Sequence, residues 1–249
     1  MTIHPKLHQA FAQGHALKII SGLTNFDRTN VLAVAQAAQQ GGATFVDIAA
    51  DADLVRHVGQ HISLPICVSA IDPEAFLAPV AAGAMLIEIG NFDAFYAQGL
   101  TFGAKDVLGL TQRTRELLPH IPLSVTVPHT LPLNEQVQLA EDLVNLGADI
   151  IQTEGGTSTQ PIHAGSIGLI EKATPTLAAA HAISRAVRIP VLCASGISDV
   201  TAPMAIAAGA AGVGVGSAVN KLNNEIAMVA AVRSLRESLR TVTRSTATV

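Results

Sequence analysis

A repeated junction punctuates the chain and constrains its connectivity before any single residue is considered. Four times a helix-like stretch closes on Gly-Ala and a β-rich run follows: Gly42-Ala43 before Thr44 to Ala49, Gly83-Ala84 before Met85 to Gly90, Gly147-Ala148 before Asp149 to Glu154, and Gly209-Ala210 before Gly212 to Gly216. Glycine at that point supplies the left-handed cap with which helices commonly end. Three further runs begin at proline after an apolar residue: Leu64-Pro65 before Ile66 to Ser69, Ile121-Pro122 before Leu123 to Val127, and Ile189-Pro190 before Val191 to Ser195. Proline donates no backbone N–H and so suits the first position of a strand. The two kinds of junction alternate, and the run from Leu17 to Ser21 completes a set of eight strands, each followed by a helix-like stretch. Eight alternating units predict a closed parallel (β/α)8 barrel, the TIM-barrel architecture.

Helix starts are marked independently by residues that can cap free amides: Asp27 before Arg28 to Gln40, Asp72-Pro73-Glu74, Asn134-Glu135 and Ser198-Asp199. An open doubly wound sheet shares the alternation of strand and helix, but evenly matched units without a break in strand order favour closure. The 249 residues are about what one such barrel requires. A single domain over residues 1–240 is therefore expected, with a short helix before Leu17 plugging the lower mouth. The polar, threonine-rich tail at 241–249 is expected to be flexible.

Nearly half the residues are apolar and only 14% are charged, a balance that allows a large core and excludes disorder for most of the chain. A net charge of −4, with lysine and arginine scattered singly, offers no basic stripe for a nucleic-acid backbone. No apolar run approaches the roughly 20 residues that span a bilayer, and the amino terminus lacks an export pattern. A cytosolic or stromal protein without a membrane partner is expected. Cys67 and Cys193 fall on strands three and seven, too far apart to bridge, and are expected to be buried thiols. The nine histidines read as dispersed, without a metal-binding pair on one strand or helix, so no dedicated metal site is expected.

In barrels of this kind the active face carries the loops that follow the strand C-termini. The last three runs end in glycine: Glu154-Gly155-Gly156-Thr157, Ala194-Ser195-Gly196-Ile197 and Val215-Gly216-Ser217-Ala218. Backbone N–H groups can converge on an anion at such positions, and Ala218-Val219-Asn220 would add a short helical turn aimed at it. Gly155, Gly156, Ser195, Gly196, Gly216 and Ser217 are thus the candidate phosphate-binding residues.

The block Cys193-Ala194-Ser195-Gly196-Ile197-Ser198, followed by Gly212 to Ser217, resembles the phosphate-binding barrel superfamily that includes thiazole synthase and the ribulose-phosphate-binding enzymes. A wider resemblance runs over nearly the whole chain. Leu17 to Leu23, Asn25-Phe26-Asp27, Val46 to Asp51, Thr153 to Thr157 and the glycine block are similar to the uncharacterised cyanobacterial and plastid family named hypothetical chloroplast reading frame twenty-three. That resemblance implies a location in cyanobacterial cytosol or plastid stroma, and no established reaction.

Polar residues inside apolar strands are the remaining clue: Lys18, Asp47, Ser69, Glu88, Thr126 and Glu154. Charge in such a setting needs partners. Lys18 and Asp47 lie on neighbouring strands, so Lys18 is either an imine-forming nucleophile or half of a structural ion pair. Glu88, between Ile87 and Ile89, faces opposite to both and is a candidate general acid or base. Of Thr153 and Glu154 only one can face the lumen, and Glu154 is carried as a candidate at the mouth. Asn25, Asn91 and His129 follow strands one, four and five at the upper rim. The stretch from Gly155 to Lys172 is long for a connection and reads as a lid.

These features favour an enzyme acting on a small phosphorylated metabolite, as lyase, aldolase-like synthase or isomerase. A flavin enzyme holding the phosphate of FMN at the same strand ends is a second reading, and a non-catalytic binding or regulatory protein a third. Alanine-rich helices over Thr176 to Val187 and Ala202 to Ala211 leave little polar surface, which points to a homo-oligomer.

Overall fold

Every predicted junction leads into a strand. A computed structural model of the chain, describing residues 5–96 and 98–242, contains β1 (Ala16–Gly22), β2 (Phe45–Ala49), β3 (Ile66–Ala70), β4 (Leu86–Ile89), β5 (Leu123–Thr126), β6 (Ile150–Thr153), β7 (Val191–Ala194) and β8 (Gly212–Val215). All are parallel and hydrogen-bonded in chain order, and β8 pairs with β1 to close the barrel. The four junction glycines have positive φ, 84° at Gly42, 114° at Gly83, 91° at Gly147 and 107° at Gly209. A side chain there would be strained whatever its chemistry.

The outer ring comprises α2 (Arg28–Gly41), α3 (Ala52–Gly59), a 3-10 turn (Pro73–Phe76) leading into α4 (Leu77–Ala81), α6 (Ala104–Leu117), α7 (Leu133–Asn145), α8 (Gly165–Ala186), α9 (Ala202–Ala207) and α11 (Glu225–Leu239). Three short helices complete the fold: α1 (Pro5–Ala12), α5 (Asp93–Tyr96) and α10 (Ser217–Asn220). Alternate strand residues point outward, so that Ile19, Val46, Val68, Ile87, Val125, Ile151 and Val213 join the helices in one apolar shell. The strand positions alternating with these face the lumen. At its lower end Leu7 and Phe11 of α1 pack with Phe45, Cys67, Leu86, Ile150 and Leu192, so the amino-terminal helix plugs the barrel as expected.

Asp27 caps α2 through the amides of Thr29 and Asn30, and Asp72 caps the 3-10 turn, both as predicted. Two other starts are displaced. Helix α7 begins at Leu133 directly after Pro132, ahead of Asn134-Glu135. Helix α9 begins at Ala202, because Thr201 Oγ1 takes the Ser198 amide in a preceding turn. Helix α8 is the larger correction. It starts at Gly165 and runs 22 residues through Pro175, so the loop expected to reach Lys172 ends at residue 164. Proline removes one helical hydrogen bond and reads as a stop. Here Gly168 and Ala173 before it, and Thr176, Ala179 and Ala180 after it, are buried and hold the helix to the barrel on both sides.

Cys67 and Cys193 are buried free thiols, and burial pushes Cys193 up to about 11. Most of the expected flexible tail, residues 243–249, lies outside the described residues.

Candidate active site

The strands place a fully buried polar layer halfway up the lumen. Lys18 Nζ donates to Glu88 Oε2 at 2.7 Å and stands 3.7 Å from Asp47 Oδ2. Glu88 also accepts from Ser124 Oγ at 2.8 Å and from Gln152 Nε2 at 2.8 Å. Asp47 accepts from Ser69 Oγ at 2.6 Å. Above them Asn91, just past β4, turns its amide down to Glu88 Oε1 at 3.1 Å. One buried acceptor, Gln152 Oε1, has no hydrogen-bond partner among the described residues. Its own amide group is fixed by Glu88 and, at 3.2 Å, by Thr126 Oγ1, so flipping Gln152 would only exchange one unmet group for another.

Burial works against the charge on Lys18, but Glu88 and Asp47 outweigh it and hold its pKa above the usual lysine value. Burial lifts Asp47 to about 6, with Lys18 pulling the other way. As an ammonium, Lys18 is a counter-ion and a proton donor. To attack a carbonyl it would first have to pass a proton to one of the carboxylates.

A second network lies at the upper rim. Glu154 accepts from Tyr96 Oη at 2.5 Å and from the His129 and Asp93 amides, each at 3.2 Å, and stands 3.2 Å from His129 Nδ1. Asp93 Oδ2 accepts from Ser195 Oγ at 2.6 Å, while Asp93 Oδ1 accepts from Ser158 Oγ at 3.2 Å and lies 3.6 Å from His129 Nδ1. The hydrogen bond to Glu154 raises the pKa of His129, and burial raises that of Glu154. Burial and the adjacent Glu154 push the Tyr96 phenol up as well.

The glycine-bearing ends of β6 and β7 meet beside this rim. A Cβ on Gly156 would stand 2.4 Å from the Ser195 carbonyl and 2.6 Å from the Gly196 nitrogen, so only glycine permits this approach. Gly155 and Gly196 have φ of 126° and 76°. Ser195 takes the amide of Thr157 on its hydroxyl at 2.9 Å, joining the two strand ends. Gly216 and Ser217 follow the end of β8, as the cap and first residue of α10, which is tied to β1 by Asn220 Nδ2 donating to the Ile20 carbonyl at 2.9 Å. No hydrogen bond links them to Ser195 or Asp93 among the described residues. The non-glycine residues with left-handed backbone among those described are Asn91, φ 60°, and Ser195, φ 71°, and both border the mouth. Serine adopts that conformation at a cost of order 1–3 kcal/mol, the kind of strain that gathers at functional sites.

The predicted Lys18, Asp47 and Glu88 are thus together in the lumen, while Glu154, Gly155, Gly156, Ser195 and Gly196 are together at the rim. Thr153 faces outward onto Thr176 of α8, which leaves the mouth to Glu154. Asn25 is spent within its own turn, on Ser21 and Asn30. His57 and His61 do stand four apart, contrary to the reading of the histidines as dispersed. His61 lies past the end of α3, however, with Nδ1 turned to the His57 carbonyl at 2.8 Å. Asp93, Tyr96, Ser124 and Gln152 were not anticipated. Strand alternation carried a signal for Ser124 and Gln152, since each is polar between apolar neighbours. Nothing in the sequence marked the short α5 that delivers Asp93 and Tyr96. Two surface cavities, of about 250 and 220 Å3, lie beside α11, away from this mouth.

Comparison with solved structures agrees with the barrel. The chain superimposes on "Wild-type GGGPS from Thermoplasma volcanium" with a TM-score of 0.68 at 12% identity, covering 98% of this chain and 99% of that one. It also superimposes on (S)-3-O-geranylgeranylglyceryl phosphate synthase from Thermoplasma acidophilum, solved in complex with substrate sn-glycerol-1-phosphate, at a TM-score of 0.63, 14% identity and coverage of 97% and 99%. For 3-hexulose-6-phosphate synthase the TM-score is 0.64 at 14% identity, covering 90% and 99%. In sequence, the chain is 47% identical over 225 residues to "Uncharacterized protein ycf23" of Cyanophora paradoxa, covering 90% of this chain and 92% of that protein. It is 38% identical over 239 residues to the ycf23 protein of Pyropia yezoensis, covering 96% and 88%. A family model described as "Protein of unknown function (DUF561)" matches residues 3–245, and on these grounds the chain belongs to the ycf23 family.

Proposed function

We propose that this chain is an enzyme acting on a small phosphorylated metabolite, as a lyase, aldolase-like synthase or isomerase. In this reading the phosphate sits at the ends of β6, β7 and β8, and the reacting carbon reaches down to the polar layer. The observation that carries it is the buried Lys18–Glu88–Asp47 group lying beneath a mouth edged with glycine, with a hydrogen-bond acceptor on Gln152 left unused beside it. Asp47, at about 6, titrates close to neutral pH, where a general acid or base is most effective. The Lys18 ammonium would stabilise an enolate or alkoxide forming next to it, and a substrate hydroxyl would satisfy Gln152 Oε1. Barrel relatives in shape include synthases named for phosphorylated compounds, one of them solved with its substrate sn-glycerol-1-phosphate, and this supports the class of ligand.

The test is proton exchange. Phosphosugars incubated with the protein in D2O should gain deuterium at the carbon next to the carbonyl, read by NMR. The rate should fall by about 10²-fold or more in Glu88→Gln and Asp47→Asn. Borohydride trapping of wild type against Lys18→Ala separates imine chemistry from acid–base chemistry in the same samples. Absence of both exchange and phosphate binding across the panel would overturn the proposal.

A place in the cytosol or stroma is the companion proposal. No helix among the described residues is long and apolar enough to cross a membrane, and the relatives carry a chloroplast reading-frame name. A homo-oligomer is proposed on the exposure of Ile162, 89%, and Ile226, 81%.

A further inference from the structure

We propose that Asp93, His129 and Glu154 form a divalent-cation site at the rim of the barrel, and that the cation joins the phosphate of the ligand to the protein. One nitrogen and two carboxylate donors, brought from the ends of β4, β5 and β6, lie within 4.8 Å of one another. His129 Nδ1 stands 3.2 Å from Glu154 and 3.6 Å from Asp93. Ligands bonded at 2.0–2.2 Å in a tetrahedron stand about 3.3–3.6 Å apart, so a cation can enter with small side-chain shifts. A mixed imidazole and carboxylate set suits Mn2+ or Zn2+, and three protein donors leave coordination positions open.

Electrostatics supplies an independent reason. Asp93 Oδ2 lies 2.6 Å from Ser195 Oγ, inside the cradle where a phosphate would be received, and Glu154 is buried immediately behind. A dianion placed there would meet two carboxylates, with the His129 ring next to them and the Lys172 side chain running beside Gly196. A bound cation reverses the sign of that encounter: Asp93 and Glu154 hold the metal, and the metal and the Gly156–Gly196 backbone hold the phosphate. The cation site stands on the donor geometry by itself, whereas the bridging role rests on the phosphate reading above. The expectation of no dedicated metal site came from spacing along the chain. Three donors from three strand ends leave no such spacing.

Titration of the full chain with Mn2+ alone, followed by loss of the free-ion EPR signal, tests the site. One Mn2+ per chain is expected, with binding weakened about tenfold or more in His129→Ala and Asp93→Asn and unchanged in His57→Ala. Circular dichroism confirms the fold of each variant, and Asp93, with its side chain 10% exposed on a four-residue helix, offers a milder change than Glu154 at 3%. No stoichiometric Mn2+, or equal binding in both rim variants, overturns the site. Inorganic phosphate binding with and without Mn2+ then tests the bridge, with at least about tenfold tighter binding expected when the metal is present. Phosphate bound equally well without Mn2+ overturns the bridge. Mn2+ bound in a protein that takes no phosphate under either condition sustains the cation site and sinks the phosphate reading.

Discussion

Lys18 carries its charge where water does not reach it, and Glu88 at 2.7 Å makes that tolerable. Removing the cation alone strands two buried carboxylates. Lys18→Met should therefore lose roughly 3–5 kcal/mol in urea unfolding, and Lys18→Met combined with Glu88→Leu should recover much of it. An unaltered midpoint in the single variant would show that solvent enters the layer freely. Asp47 gives a pH signature. Its folded pKa of about 6 stands above the ordinary 3.8, so between these values the folded chain keeps a proton that the unfolded chain has lost. The stabilisation is complete below the unfolded value and disappears as pH rises through the folded one. Subtracting the Asp47→Asn curve from wild type should reveal a fall in stability across that window, and a flat difference would contradict the assignment. At Gly156 a methyl group would be 2.4 Å from the Ser195 carbonyl. Gly156→Ala should cost about 1–3 kcal/mol by overpacking and part the two strand ends, weakening phosphate binding measured by calorimetry.

At the scale of elements, caps and junctions carry much of the register. Asp27 accepts from two amides at the start of α2, and Asp27→Ala should cost about 1 kcal/mol of thermal stability, visible as a lowered Tm with unchanged ligand binding. The same kind of local chemistry is why the strands were legible: a glycine with positive φ, or a proline, stands at each of seven junctions and needs no distant partner to be understood. The start of α9 was not legible, because Ser198 and Thr201 compete for the same turn and only packing decides between them. The start of α8 was not legible for the opposite reason, since a long buried face carries the helix through Pro175. In the site, Lys18, Asp47 and Glu88 announced themselves as charges within apolar runs. Gln152 is neutral and passed unnoticed. Asp93 and Tyr96 reach Glu154 only because a four-residue helix folds over the mouth, a contact spanning 58 residues for Tyr96.

For the molecule as a whole, the plug formed by Leu7 and Phe11 has a bearing on how protons travel. With the lower end shut, protons moving between the polar layer around Lys18 and the mouth would pass Asn91, whose amide sits on Glu88, and a ligand seated at the rim would stop that route too. A proton taken from such a ligand has nowhere else to go and is returned to the same molecule before bulk water can replace it. Internal return of label should then outpace washout in any isomerisation followed with a deuterated substrate. Opening a rear exit with Leu7→Ala and Phe11→Ala should shift that balance toward solvent exchange, while the groups that move the proton stay where they are.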